Sequence, residues 1–362
     1  MNRLILVIGA VFTLGLVSCD NDDDTDDTTQ AYDRGPMLEN YSQNIILPRL
    51  QDFHEKTASL HESVEALKQK TNSQNLAEAR ESWKQAYQSF QYCNAFNFGP
   101  GDQIDGTFLE KLGTFPPDTT QIETYISQND TTFNNFNRNT RGFTALDYML
   151  FNRDENATVQ YLNGQNRMNY VLAVSRRIKT VTDKILADWQ QYASSFESNL
   201  NVEAGSPTSL FYNSFVKSYE AVKNFKTGLP LGKRPGQQAA EPYQTQAYFS
   251  GYSNELMQAH LESIYQLYEG IGVDGSDREG LADFVESTYG GQSLAADTRE
   301  QWNSVTDAFE NLPQKPIHEL VLENQTEMDD YYTELSKQTR FFKSDMSSKL
   351  GISITYDSGD GD

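Results

Sequence analysis

Three observations predict an all-α protein built as two related four-helix bundles packed side by side. Apolar residues recur at steps of three and four, the spacing that gathers them on one stripe of a helix. No period-two alternation, the mark of a half-buried strand, stands out anywhere in the chain. Connections rich in Gly and Pro interrupt the helical pattern at similar places in two halves, and four amphipathic helices per half can bury their stripes against one another without a sheet. With 362 residues, 37% hydrophobic and 12% aromatic, the chain is large enough for a substantial core in one large or two ordinary domains.

Taken in order, residues 1–18 read as an export leader: Arg3 precedes an apolar run from Leu4 to Val17 that is short for a permanent membrane span. The run ends in Leu16-Val17-Ser18-Cys19, which is similar to a bacterial lipobox, so Cys19 is expected to carry the lipid that tethers the mature protein to a membrane. Residues 19–35 form an acidic tether, because the block from Asp20 to Asp27 repels itself and cannot collapse. Only Cys93 remains besides Cys19, so no intramolecular disulfide is available and the fold must rest on packing. The formal net charge is −22; Arg3 and six Asp fall in residues 1–27, and the 28 basic and 45 acidic residues beyond them still leave −17. A field of that sign repels phosphate backbones and excludes nucleic acid as a partner.

The first bundle, residues 36–201, opens with the stripe Leu50, Phe53, Thr57, Leu60, Val64 and Leu67, with Pro48 as a kink or helix start. Leu76, Ala79, Trp83, Tyr87 and Phe90 follow on a second helix that stops at Gly99-Pro100. Residues 99–120 read as a long irregular connection, and a further helix surrounds Phe143, Leu146 and Leu150. The longest stripe is Met168, Val171, Val174, Ile178, Val181, Ile185, Trp189, Tyr192 and Phe196. Asn199 to Pro207 leads into the second bundle, residues 202–362. There the stripes are Leu210 to Phe225, Phe249 to Leu267, Trp302 to Leu312 and Met328 to Met346, with a second long connection over residues 228–246. Asp357, Asp360 and Asp362 form an acidic tail.

Nucleotide-loop, serine-hydrolase and paired C-x-x-C motifs are absent, and neither His54-Glu55 nor His61-Glu62 is followed by the second imidazole of a zincin. His54 and His61 share a helix face but are separated by roughly 10 Å of rise, too far for one ion, and read as surface histidines. His260 and His318 have no neighbour at ligand spacing, and Cys93 reads as a small buried thiol. Two segments differ from the rest. Asn94 ends the aromatic helix on a polar side chain where the stripe calls for an apolar one. Gly142-Phe143-Thr144-Ala145-Leu146-Asp147-Tyr148 puts two oxygen-bearing side chains, Thr144 and Asp147, on adjoining parts of one otherwise apolar helix face. A carboxylate there must be exposed, hydrogen-bonded or bound to a cation.

With these segments in view, the chain resembles the imelysin-like family over nearly all of its mature length. The resemblance is carried by the W…Y…F-x-F-G-P helix end from Trp83 to Pro100; by Gly142 to Tyr148, similar to the family's G-x-H-x-x-E segment; by Tyr248-Phe249-Ser250 with Ser253 and then Tyr268-Glu269-Gly270; and by the ending from Gly351-Ile352 to Asp362. It implies a lipoprotein or periplasmic protein of two helical bundles with a site between them, in a family whose members are described as metallopeptidase-like or belong to bacterial iron uptake. The departures fall on the metal-binding atoms: Thr144 stands in place of the family's His, Asp147 in place of its Glu, and Asn94 where related helix ends are acidic. Only hard oxygen donors remain, which argues against tight zinc or iron binding, leaves at most a weakly held divalent or ferric cation at Asp147, and leaves no group in the motif to activate a metal-bound water.

Three functions follow in order of preference. The first is a membrane-anchored binding lipoprotein of the outer membrane, on its periplasmic side or the cell surface, linked to iron or metal uptake. Its inter-bundle cleft holds a small ligand, cation or peptide, with Asn94, Gly142, Thr144 and Asp147 on one wall and Tyr248, Ser250 and Ser253 on the other. The second is a non-catalytic docking module for an outer-membrane protein partner. The third is a metallopeptidase of the imelysin type, which the replacement of the motif's His and Glu argues against.

Overall fold

A computed structural model of the chain describes residues 32–102 and 106–356. Cys19, the leader, the acidic tether up to residue 31 and the tail aspartates fall outside the described residues. Among those described there is no strand, and every regular element is helical.

A helical rod runs without a break from α1 (Gly35–Glu39) through a π-helical segment (Asn40–Ile46) into α2 (Leu47–Gln69). Pro48 is the second residue of α2, but the rod does not begin there: the backbone N–H of Leu47 reaches back to the carbonyl of Ser42 in the π-helical segment before it. Asn72 caps α3 (Ser73–Gln91) by accepting from the N–H of Asn75 at 2.8 Å. The connection expected to be irregular over residues 99–120 contains α4 (Phe108–Gly113), closed by a Thr107/Glu110 capping box, and the start of α5 (Thr119–Ser127), capped by Asp118. Each is too short to show a helical period, so its signature is the cap rather than a stripe. Then come α6 (Gly142–Phe151), α7 (Glu155–Leu162) and α8 (Gln165–Ser198), which is about 50 Å long. The predicted stripe of α8 is the buried one: Val174, Ile178, Trp189 and Phe196 are wholly inaccessible and pack on α2, whose Phe53, Leu60 and Val64 are equally buried.

In the second half, α9 (Pro207–Ala221) continues into another π segment, Val222–Gly228, and the connection over 228–246 is made of turns apart from one 3-10 turn at Pro242–Gln244. α10 (Ser253–Glu269) begins four residues after Phe249, which the stripe had placed inside the helix. α11 (Leu281–Glu286), α12 (Gly291–Glu310), α13 (Ile317–Glu323), α14 (Gln325–Thr339), a third π segment (Arg340–Asp345) and α15 (Met346–Leu350) complete the chain. Phe342 centres this half, with ring centroids 4.9 Å from Phe215 and 5.1 Å from Tyr219.

Residues from Asp33 onward form one compact unit. The rod at its start packs on second-half segments: Asn40 donates to the carbonyl of Gly270 at 2.7 Å, and the Tyr41 hydroxyl donates to Leu267 O and accepts from Leu281 N–H, both at 2.7 Å. α3 lies against α10, and Arg49 of α2 reaches Ser263 and Gln266 of α10 at 2.9 and 2.6 Å.

Candidate functional site

The polar pair on α6 is buried, as the sequence pattern requires of a partnered carboxylate. Gly142 starts the helix at φ +73, and a Cβ there would meet the carbonyl oxygen of Leu112 at 2.3 Å, so only glycine fits this approach of α4 to α6. The helix start is fixed further by Trp83, whose indole N–H donates to Phe143 O at 3.0 Å, and by Tyr87, stacked on the Phe143 ring at 4.5 Å. One turn on, Asp147 is wholly inaccessible. Its Oδ2 accepts from the backbone N–H of Phe249 and its Oδ1 from that of Ser250, each at 3.0 Å. Burial pushes its carboxyl up to about 6, against the hydrogen bonds from Ser250 and Phe249, which favour the ionised form.

Those two N–H groups come from a shaped turn. Ala247 sits at φ +56 and Gly251 at φ +68, and the Ser250 hydroxyl donates to Ala247 O at 3.2 Å while accepting from Tyr252 N–H at 3.3 Å. The structure therefore brings Asp147 and Ser250 together as a tie between the halves. Thr144, 1% exposed, is buried one turn before Asp147. Ser253 serves another contact, its hydroxyl accepting from the N–H of Ile317 at the start of α13 at 3.0 Å. Tyr248 packs its ring on Tyr243 and on His318, 5.3 and 4.8 Å away. His54 pairs with Asp183 at 3.0 Å, and His61 meets Ser175 at 2.9 Å with little exposure, so His61 is a half-buried packing residue rather than a surface one.

The metal that the resemblance implies does not fit these residues. Two backbone N–H dipoles already point at the Asp147 carboxylate, and a cation beside it would face their positive ends. Among the described residues no three His, Cys, Asp or Glu side chains come together as a ligand set.

Asn94 leads to a different place. It lines a cleft of about 430 Å³ whose walls come from both halves of the chain: Phe90, Leu109 and Phe115 from the first, Phe225 and Leu229 from the second. At its inner end Asn94 donates to the side-chain oxygen of Gln91 at 3.2 Å, and the same oxygen accepts from Nζ of Lys226 at 2.5 Å. Ser218, also in the lining, pairs with His260 Nε2 at 2.7 Å, and Gln246 donates to the Tyr87 hydroxyl at 2.8 Å. Asp147, wholly inaccessible, is not among the residues that line this cleft. Lys226 is 4% exposed, and burial holds its amine well below the usual lysine range; His260, wholly buried, is lowered by burial first and by Lys226 second. A larger groove of about 740 Å³ lies between α10 and α12, lined by Glu255, Glu262 and Glu310, and none of the sequence-predicted site residues borders it.

Lys226, Gln91 and Gln246 were missed from sequence, yet a signal existed for Lys226. Trp83, Tyr87, Phe90 and Asn94 follow the spacing four, three, four, and Phe215, Tyr219, Val222 and Lys226 follow it again in the second half. In each case the stripe ends on a polar side chain, and the two ends meet through Gln91. Within the π segment, whose extra residue per turn changes the register, Phe225, assigned by the stripe to the core, is 50% exposed while Lys226 is buried.

Comparison with known proteins agrees with the architecture. Iron-regulated protein A of Synechococcus elongatus is 21% identical over 260 residues, covering 68% of this chain and 67% of that protein. A crystal structure described as an iron-regulated protein A precursor from Parabacteroides distasonis superposes with a TM-score of 0.72 at 16% identity, over 87% of this chain and 94% of that one. An imelysin-like protein from Psychrobacter arcticum gives 0.70 at 17% identity, over 88% and 96%. The sequence profile described as Imelysin (Peptidase_M75) matches residues 46–340, most of the described helical body, and the chain belongs to that family.

Proposed function

We propose that this protein is a lipid-anchored binding protein of the bacterial cell envelope, linked to iron acquisition, that holds a small ligand in the cleft between its two halves. The observation that carries the reading is the cleft itself: about 430 Å³, the size of small-molecule sites, apolar along its walls and closed at its inner end by a few fixed polar groups drawn from both halves. The iron link rests on two relatives whose names describe them as iron-regulated protein A. Anchoring rests on the lipobox-like Leu16 to Cys19; among the described residues no helix is long and apolar enough to cross a membrane. The motif's missing imidazole and the donor set around Asp147 give no support to a metallopeptidase.

The test is native mass spectrometry of the protein purified from its host grown with and without iron limitation, beside an Ala221→Trp variant that fills the cleft lining. One equivalent of a small molecule on the wild type, lost in the variant, is the expected result; equal retention in both would remove the cleft from the account. Cys19→Ser should move the protein from the membrane to the soluble fraction, and unchanged membrane recovery would end the anchoring claim.

A further inference from the structure

Lys226 stands out among the charged groups of the interior. Lysines are almost never fully buried unless paired, and among the described residues the hydrogen bond of this amine is to the neutral side-chain oxygen of Gln91. An ammonium has three protons to donate, and one amide oxygen takes one of them. No described carboxylate offsets the cost of its burial. The remaining polar groups at this end of the cleft, Asn94, Ser218 and Gln246, are neutral. Glu110, the one carboxylate in the lining, is exposed and engaged with the N–H of Thr107 at 3.1 Å. Lys217, the other lysine of the lining, is exposed, so Lys226 is the one buried cationic side chain there, and Phe90, Phe115, Phe225 and Leu229 make up most of the apolar wall.

We propose that the ligand of this cleft is an organic carboxylate with an apolar body, its carboxylate paired with Lys226 at the inner end and its body lying against Phe90, Phe115 and Phe225. The assignment rests on the reading of the cleft as a binding site and names its ligand class. A monoanionic head suits one buried lysine flanked by amides and a hydroxyl, whereas a phosphate calls for more buried cationic donors than Lys226 alone supplies, Lys217 being exposed. A bare metal cation is disfavoured, because the amine occupies the position that its ligands would need. In a site shielded from water, a charge-assisted bond to Lys226 separates a carboxylate from its neutral isostere by at least tenfold in affinity.

The experiment uses the mature protein and matched probes, titrated by calorimetry: benzoate, 3-phenylpropanoate and octanoate, each against the corresponding alcohol and amine. The expected order is carboxylate at least tenfold tighter than alcohol, with the amine weakest. Lys226→Met should reduce carboxylate affinity to that of the alcohol and leave the alcohol within about twofold, with a ligand-free melting temperature no lower than wild type because a buried amine is replaced by an apolar chain of similar length. The isostere comparison is made on the wild type, so it stands even if the variant misfolds. Alcohols that bind as well as carboxylates, with both lost in Ala221→Trp, would overturn the ligand class and leave the cleft as a binding site. Carboxylate affinity unchanged in Lys226→Met would overturn the role of the lysine. If no probe binds, both the class and the cleft are wrong.

Discussion

At the scale of single residues, Asp147 decides between two roles for a buried acid. Its oxygens are matched to the N–H groups of Phe249 and Ser250, yet burial outweighs those bonds and its carboxyl sits at about 6 instead of 3.8. Between those two values the folded state binds more protons than the unfolded chain, so the contribution of this group falls as pH rises through the window. A shift of about two units corresponds to roughly 3 kcal/mol of stability present below pH 4 and lost above pH 6. Asp147→Asn removes the titration while keeping one acceptor. The stability of wild type relative to this variant, measured by urea unfolding, should therefore decline from pH 4.5 to pH 7.5; a flat difference would show that the hydrogen bonds, not burial, dominate. The sequence made Asp147 legible as a polar exception on an apolar helix. It did not reveal the partner, because the turn that supplies the two N–H groups lies about a hundred residues away and its shape depends on backbone conformations at Ala247 and Gly251 that no stripe encodes.

At the scale of elements, periodicity identified the long helices because each repeats its stripe over several turns. α2, α3 and α14 buried the residues that the pattern assigned, down to Leu67, Phe90 and Leu335, and α8 did so down to Phe196 except at Val181 and Tyr192, which are half-buried. α4, α7, α11 and α13 have eight residues or fewer and leave too little stripe to see. The π segments were not legible either, since a one-residue change of register looks like noise in a spacing of three and four. Their effect is nonetheless specific in Val222–Gly228, where Lys226 is buried and Phe225 is half exposed. Phe225→Ala should keep the far-ultraviolet circular dichroism, since the ring is half exposed, and should weaken carboxylate and alcohol probes alike, because it removes apolar wall and leaves the amine in place. Unchanged affinity for both would mean that the ring turned outward by the wide turn has no part in the cleft.

For the whole molecule, the contacts between the halves set how the chain comes apart. Besides the Asp147 and Lys226 bonds, Tyr41 is fixed to Leu267 and Leu281, and Arg49, 4% exposed, reaches across to Ser263 and Gln266. These are buried polar groups whose partners belong to the other half, so separating the halves leaves several donors and acceptors unpaired, at a cost of about 1–3 kcal/mol each. A chain of this length would ordinarily unfold domain by domain. Here, unfolding of one half removes the partners that the other requires, and a single transition is expected. Trp83 and Trp189 report on the first half and Trp302 on the second. In a Trp302→Phe variant, fluorescence follows the first half while circular dichroism follows all the helices, and the two urea transitions should share one midpoint. Two midpoints, or a fluorescence change complete while half of the ellipticity remains, would show that each half is stable without its neighbour and that these buried bonds join finished bodies rather than complete a shared core.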